Sequence, residues 1–397
     1  MISVEEALKI VRQQAIELPA VEVPLAEANQ KILREPLRAD RDFPPFDRVT
    51  MDGIALSFAD FAAGKRSFPI AGVGAAGAPQ QELTRQGHCI EIMTGAMLPA
   101  GTDTVVRYED LEIRDQEAHL TIDKIKKGQN IHRRGEDRQR GDVIVPAGRK
   151  IAPGEIGVAA TVGRASLPVT RPITALILSS GDELVAVEEK PLPHQIRQSN
   201  VFSIQALLQR WGIRAQIMHM PDDPATIKKV LQEQLPNYDV LLLSGGVSKG
   251  KFDYIPDALD AMGVKRLFHR VAQRPGKPFW FGHIPGGTVV FALPGNPVSS
   301  LACTRVYFGE WLETSLGISE EKPRAQLSRE VSFRPDLNYF IQVKLRSAAD
   351  GNLLADPVEG HGSGDLANLV DADAFLMLPR GKDHFAAGEA YPVWSFR

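Results

Sequence analysis

The sequence predicts a multidomain α/β chain: a central three-layer parallel-sheet α/β domain, with N-terminal β-rich domains before it and a C-terminal β-barrel-like domain after it. Three observations carry this reading. A length of 397 residues exceeds what one ordinary core accommodates. Between about Arg171 and Gly317, continuous apolar runs end in glycine loops and are followed by helical patterns, the alternation of a parallel sheet covered on both faces. On either side, short apolar segments are punctuated by Gly and Pro, the texture of small β domains.

Along the chain, Ser3 and Glu6 form a capping-box pattern that predicts a helix running to about Glu17. The stretch from Ala20 to Leu167 carries strand-like runs at 104–106 and 120–122, and a glycine-rich loop is predicted over 72–79. These elements form an N-terminal region, 1–170, with a β-rich domain inserted at about 48–130. In the central domain, 171–318, strand 174–178 ends in Ser179-Ser180-Gly181-Asp182-Glu183 and strand 239–243 ends in Ser244-Gly245-Gly246. Strand 288–293 ends in Pro294-Gly295-Asn296-Pro297. Helices are predicted over 201–211, 225–234, 253–262 and 298–316. The C-terminal domain, 323–397, shows strands at 330–333, 339–345, 374–378 and 391–396, with a turn at 349–352.

Composition is that of an ordinary soluble protein, 43% hydrophobic and 24% charged, with a formal net charge of -3. No global field exists to grip nucleic acid or an anionic membrane, so anion binding must be local. Cys89 and Cys303 belong to no CxxC pattern, which excludes a disulfide framework and a cysteine zinc site. The N-terminus lacks the basic start and apolar stretch of a signal peptide, and the apolar runs are too short to cross a bilayer. The cytoplasm is the expected location.

The chemistry is expected at the glycine loops, because ligands of open parallel sheets bind beyond the carboxyl ends of the strands. Glycine lets the backbone approach a ligand, and amides at a following helix start suit a phosphate or another oxyanion. Ser180, Gly181, Ser244, Gly245, Gly246, Pro294, Gly295 and Asn296 are the candidates. Two motifs overlap on the middle loop. Gly246-Val247-Ser248-Lys249-Gly250 fits a hydrolase nucleophile elbow, but a double glycine precedes it and no oxyanion motif of the HGGG type is present. Gly245, Gly250 and Lys251 follow a Walker loop, but Phe252 stands where the magnesium-binding hydroxyl is required.

Carboxylates are the second signal. Asp182, Glu183, Asp222, Asp223 and Asp253 reach one rim of the sheet. Helix capping accounts for Asp223 and Asp253 taken singly, whereas carboxylates clustered beside a phosphate suit Mg²⁺. Arg270, Arg274 and Lys277 supply cations around the rigid turn Pro275-Gly276-Lys277-Pro278. The run His132-Arg133-Arg134-Gly135-Glu136-Asp137 reads either as a surface ion network or as an anion clamp.

Several motifs in order resemble one family: Met51-Asp52-Gly53, Met93-Thr94-Gly95-Ala96, Arg133 to Asp137, Ser180 to Leu184, Pro221 to Pro224, Ser244 to Ser248, Pro275 to Pro278 and Leu293 to Pro297. The chain resembles, over nearly its whole length, the MoeA family of molybdopterin molybdenumtransferases, whose eukaryotic relatives form the E domain of gephyrin. The resemblance implies molybdenum cofactor biosynthesis: adenylated molybdopterin and molybdate as substrates, Mg²⁺ as cofactor, and release of AMP. It implies a homodimer with a shared active-site cleft, in which Asp52, Thr94 and Asp137 face Glu183, Asp222 and Asp253, and a transient contact with the molybdopterin adenylyltransferase. Ser248 and Ser363 join the substrate-binding set on the same ground, Ser363 matching a serine linked with molybdate. Arg270 and Arg274 stand where relatives carry lysine, and a planar fork replaces a point charge there. Gln342 aligns with a family arginine implicated in molybdate binding, and Arg346 is the alternative base. A pterin-nucleotide-binding scaffold with little turnover is the other reading.

Overall fold

A computed structural model of the chain describes residues 1–246, 254–318 and 321–397. They separate into two compact units: Met1–Val21 with Thr170–Arg397, and Glu22–Val169.

The first unit contains a six-stranded sheet of β1 (Ala175–Ser180), β2 (Ala215–Met220), β3 (Val240–Ser244), β4 (Lys265–His269), β5 (Trp280–His283) and β6 (Val289–Leu293), in the order β2-β1-β3-β6-β5-β4. Neighbours from β2 to β6 run parallel, whereas β5 and β4 run antiparallel, so the predicted parallel sheet is in fact mixed. The reason is local. The turn through Gly286 (φ +70°) and Gly287 closes β5 directly onto β6 as a hairpin, and a tight turn can only join antiparallel strands.

Alternation along the strands sorts the core into two faces. Ala175, Ile177, Val240, Leu242 and Phe291 pack with α1 (Val4–Gln13), α2 (Asn200–Arg210) and the last helix of the domain. Leu176, Leu178, Leu241, Leu243 and Val290 pack with α3 (Pro224–Gln234) and α4 (Ile255–Ala261). Three layers result, as predicted. The last helix comprises α5 (Pro297–Cys303), a π-helical turn at Thr304–Phe308, and α6 (Gly309–Ser315).

Helix caps follow their residue chemistry. Ser3 Oγ accepts from Glu6 N at 3.1 Å, and Asp223 accepts from Thr226 N at 2.8 Å ahead of a proline at the first helical position. Helix α1 stops at Gln13, short of Glu17. The Gln14 carbonyl instead accepts from Trp311 Nε1, and Ile16 N donates to Ser315 Oγ, so the chain bonds to α6 rather than to itself. Helix α1 therefore belongs to the sheet domain's core, although the sequence grouped it with the N-terminal region.

The C-terminal part closes into a five-stranded barrel of β7 (Arg324–Leu327), β8 (Asn338–Ser347), β9 (Leu353–Pro357), β10 (Ala374–Leu378) and β11 (Ala390–Ser395), with β10 pairing back onto β8. Its interior is built from Leu327, Ile341, Val343, Leu376 and Val393. A two-residue strand, Gln273–Arg274, adds to β8 at Asn338 and Tyr339 and joins the barrel to the sheet domain.

The second unit holds a six-stranded sheet in the order Thr104–Arg107, Gly53–Leu56, Cys89–Ile92, Ser67–Gly74, Glu117–Leu120 and Leu111–Arg114. Gly72 to Gly74, predicted as loop, extend strand Ser67–Gly74. Val73 and Gly74 are in register with Glu91 and Ile92, and a side chain at Gly74 would collide with Ile92. Both cysteines are free and buried. Among the described residues, no helix is long and apolar enough to cross a membrane.

Candidate functional site

A cavity of about 730 Å³ opens beyond the carboxyl ends of β1, β3 and β6, where the strand order reverses direction. Its floor is backbone. Gly245 (φ +101°) leaves β3 so close to β1 that a Cβ would lie 2.7 Å from the Ser180 carbonyl oxygen. Gly246 and Gly295 complete the floor, and Gly181 lies where any side chain would meet the Glu183 carboxylate. Beneath, the Asn200 side-chain amide donates to Ser244 Oγ at 3.0 Å and to the Gly295 carbonyl at 2.6 Å, tying the second and third glycine loops together.

One wall is acidic. Glu183 and Asp222 line it, the Ser180 hydroxyl donates to Asp222, and Asp222 N donates to Asp182 at 3.1 Å. Another wall is basic: Arg274 and Lys277, both exposed, border the cavity beside and within the Pro275–Pro278 turn. The third wall comes from the barrel: Tyr339, Gln342, and a loop through His361 and Ser363. Asn296 Nδ2 donates to Ser363 Oγ at 2.6 Å, which leaves the serine O–H available to a ligand. Gln342 is 9% exposed and its Oε1 has no hydrogen-bond partner among the described residues. Burial holds the Tyr339 hydroxyl above its ordinary pKa, with the Arg274 cation pulling the other way.

Of the predicted residues, Ser180, Gly181, Glu183, Asp222, Gly245, Gly246, Arg274, Lys277, Pro294, Gly295, Asn296 and Ser363 all border this one cavity. Ser244 lies just behind it, lining a smaller cavity with Asn200. Arg270 does not line it: the residue sits at the end of β4 with φ +78°, and its Nε is buried with no hydrogen-bond partner among the described residues. Ser248 and Asp253 lie outside the described residues. Arg346 is not the substitute base for Gln342. Its guanidinium pairs with Asp356 at 2.7 Å on the neighbouring strand and does not reach the cavity.

In the second unit, Asp52 and Thr94 meet. Thr94 N donates to Asp52 Oδ1 at 2.6 Å, and that bond and the threonine hydroxyl hold the exposed carboxyl below its ordinary pKa. Asp137 bonds His132 Nε2 at 3.0 Å beside the pairs Arg133–Asp47 and Arg134–Asp42, so the run at 132–137 is a surface ion network. Among the described residues no group of three or more His, Cys, Asp or Glu side chains is arranged to hold a metal. Sequence reading missed Gln273 and Tyr339 in the cavity lining, since isolated polar residues in strands carry no motif.

The floor, an acid wall and a basic wall together suit an anionic nucleotide whose phosphates meet glycine amides and cations. Known proteins resemble the chain over its whole length. The family model described as the MoeA N-terminal region (domain I and II) matches residues 2–163. The model of a probable molybdopterin binding domain matches residues 176–314, and that of the MoeA C-terminal region (domain IV) matches residues 324–396. A molybdopterin molybdenumtransferase of Synechocystis sp. is 36% identical over 399 residues, covering 100% of both chains. Another from Staphylococcus aureus is 31% identical over 402 residues, covering 99% of this chain and 95% of the relative. The crystal structure of a molybdopterin biosynthesis MoeA protein from Pyrococcus horikosii superposes with a TM-score of 0.85 at 28% identity, covering 100% of this chain and 99% of that one.

Proposed function

The chain belongs to the MoeA family, and from that premise we propose that it is a molybdopterin molybdenumtransferase that takes adenylated molybdopterin and molybdate and releases AMP. The carrying observation is the cavity at the strand ends, whose glycine floor and paired Arg274 and Lys277 suit the phosphates of a pterin nucleotide. Ser363 donates its free O–H to the oxyanion, held in place by Asn296. The Gln342 amide, bordering the same space, supplies a neutral contact.

Glu183 and Asp222 are two oxygen donors on one wall, a donor set that fits Mg²⁺, which keeps several waters and takes one or two carboxylates beside substrate phosphates. Asp253 is the third acid of the proposed set. When bound, the cation would neutralise charge on the phosphates as AMP leaves. Glu183 and Asp222 orient that charge, while Lys277 and Arg274 hold the phosphates. The working enzyme is a cytoplasmic homodimer. Its cleft brings Asp52, Thr94 and Asp137 of one subunit toward the strand-end cavity of the other, and it meets the adenylyltransferase transiently to receive its substrate. The domains divide near residues 170 and 320.

The test supplies adenylated molybdopterin, molybdate and Mg²⁺ to the purified protein. AMP release that depends on molybdate is expected. Folded protein that binds the pterin nucleotide yet releases no AMP would overturn the assignment.

A further inference from the structure

The basic wall stands on a buried polar chain that the reaction does not itself require. Gln273 is 1% exposed and Tyr307 is fully buried, yet the Tyr307 hydroxyl donates to Gln273 Oε1. Gln273 Nε2 in turn donates to the Pro275 carbonyl at 3.0 Å and reaches Cys303 Sγ at 3.5 Å. Both ends of the amide are thus committed, one to the helix and one to the turn that carries Lys277. Gly276 (φ +90°) seals the seat, because a Cβ there would lie 2.6 Å from both Cys303 Sγ and Gln273 Nε2.

The helix supplies Tyr307 from its π-helical turn, Thr304–Phe308, and such turns recur at functional sites. The ring is stacked on Phe279 at 4.7 Å, so the hydroxyl has a fixed direction. The backbone of Gln273 also pairs with Asn338 of the barrel. One residue therefore joins three pieces of the cavity: the helix that begins at Asn296, the turn of Lys277, and the barrel wall. The phenol and the amide satisfy each other, and the amide also satisfies the buried Pro275 carbonyl of the turn. What the amide and phenol add is direction.

We propose that Gln273 and Tyr307 are positioning residues that fix the Pro275–Pro278 turn so that Lys277 meets the substrate's phosphates. This rests on reading the cavity as the pterin-nucleotide site. Tyr307→Phe keeps the stacked ring and removes only the hydroxyl; Gln273→Met removes the amide. Each is made alone and combined with Lys277→Ala, and KM and kcat are measured for molybdate-dependent AMP release. In the Lys277 background, Tyr307→Phe is expected to raise KM for adenylated molybdopterin about tenfold, with kcat little changed.

In the Lys277→Ala background the same substitution is expected to have almost no effect, because its route to the substrate is gone. Losses that multiply independently in the two backgrounds, or a fall in kcat with KM unchanged, would overturn the proposal. Urea midpoints establish that each variant is folded. Titration of the same proteins with AMP reads the coupling by affinity alone. If AMP release is absent throughout, the functional reading fails, and the AMP affinities still decide between coupling and independence.

Discussion

Gly245→Ala isolates the contact on which the cavity floor depends. Gly245 has φ +101°, and its missing Cβ would stand 2.7 Å from the Ser180 carbonyl oxygen, most of an ångström inside ordinary contact. Two costs follow. Holding an alanine in left-handed backbone costs about 1–2 kcal/mol. Spreading the carboxyl ends of β1 and β3, which pair at Ser179 and Ser244, resembles overpacking and costs about 1–3 kcal/mol more. Gly286→Ala is the internal control: φ is +70°, but no described residue lies within 4 Å of its Cβ, so only the backbone cost of about 1–2 kcal/mol applies.

Urea unfolding followed by tryptophan fluorescence reads the comparison cleanly. All four tryptophans, Trp211, Trp280, Trp311 and Trp394, lie in the unit that contains the cavity. Gly245→Ala is expected to lose about 2–5 kcal/mol against about 1–2 for Gly286→Ala. It should also lose roughly a hundredfold in kcat/KM, since displacement near an ångström misaligns bound groups. Equal stability losses in the two variants, or full activity in Gly245→Ala, would refute the close-approach argument.

Three further outcomes are expected. Lys277→Ala should raise KM for adenylated molybdopterin by about ten- to a hundredfold, the worth of one charge-assisted contact, and should flatten the salt dependence of KM; unchanged salt dependence would remove Lys277 from the phosphate wall. Burial would raise the Asp239 carboxyl, but the Arg171 guanidinium and the Thr174 N–H and hydroxyl outweigh it and hold the pKa below its ordinary value. A depressed carboxyl stabilises above its unfolded pKa of about 3.9 and loses that contribution as pH falls through the folded value, so Asp239→Asn should cost about 1–3 kcal/mol at neutral pH and progressively less in acid, as urea unfolding at several pH values would register. Chelation by EDTA should suppress AMP release and added Mg²⁺ should restore it, with Glu183→Gln needing at least about tenfold more Mg²⁺; an activity indifferent to EDTA would dismiss the metal.

What the sequence by itself determined is whatever a few consecutive residues encode. The apolar runs that became β1, β3 and β6, the glycine loops after them, the Asp223 cap and the barrel strand Ala374–Leu378 are local signals, and they appear where local chemistry put them. That the Ser180, Gly245 and Gly295 loops border one cavity was legible because parallel strands present all their carboxyl ends on the same side. Tertiary structure alone decided the rest. Strands β7 and β9 carry weak runs and exist because they pair with each other and with β11 and β8 on their outer sides, which gives their backbone groups partners. Gln342 rather than Arg346 borders the cavity: the two share a strand face, but Arg346 stands about 13 Å further along the strand and is paired with Asp356. Gln273 and Tyr307 are distant in sequence and belong to no motif. Only the packing of a helix beneath a turn makes a buried amide and a buried phenol into the support of a binding wall.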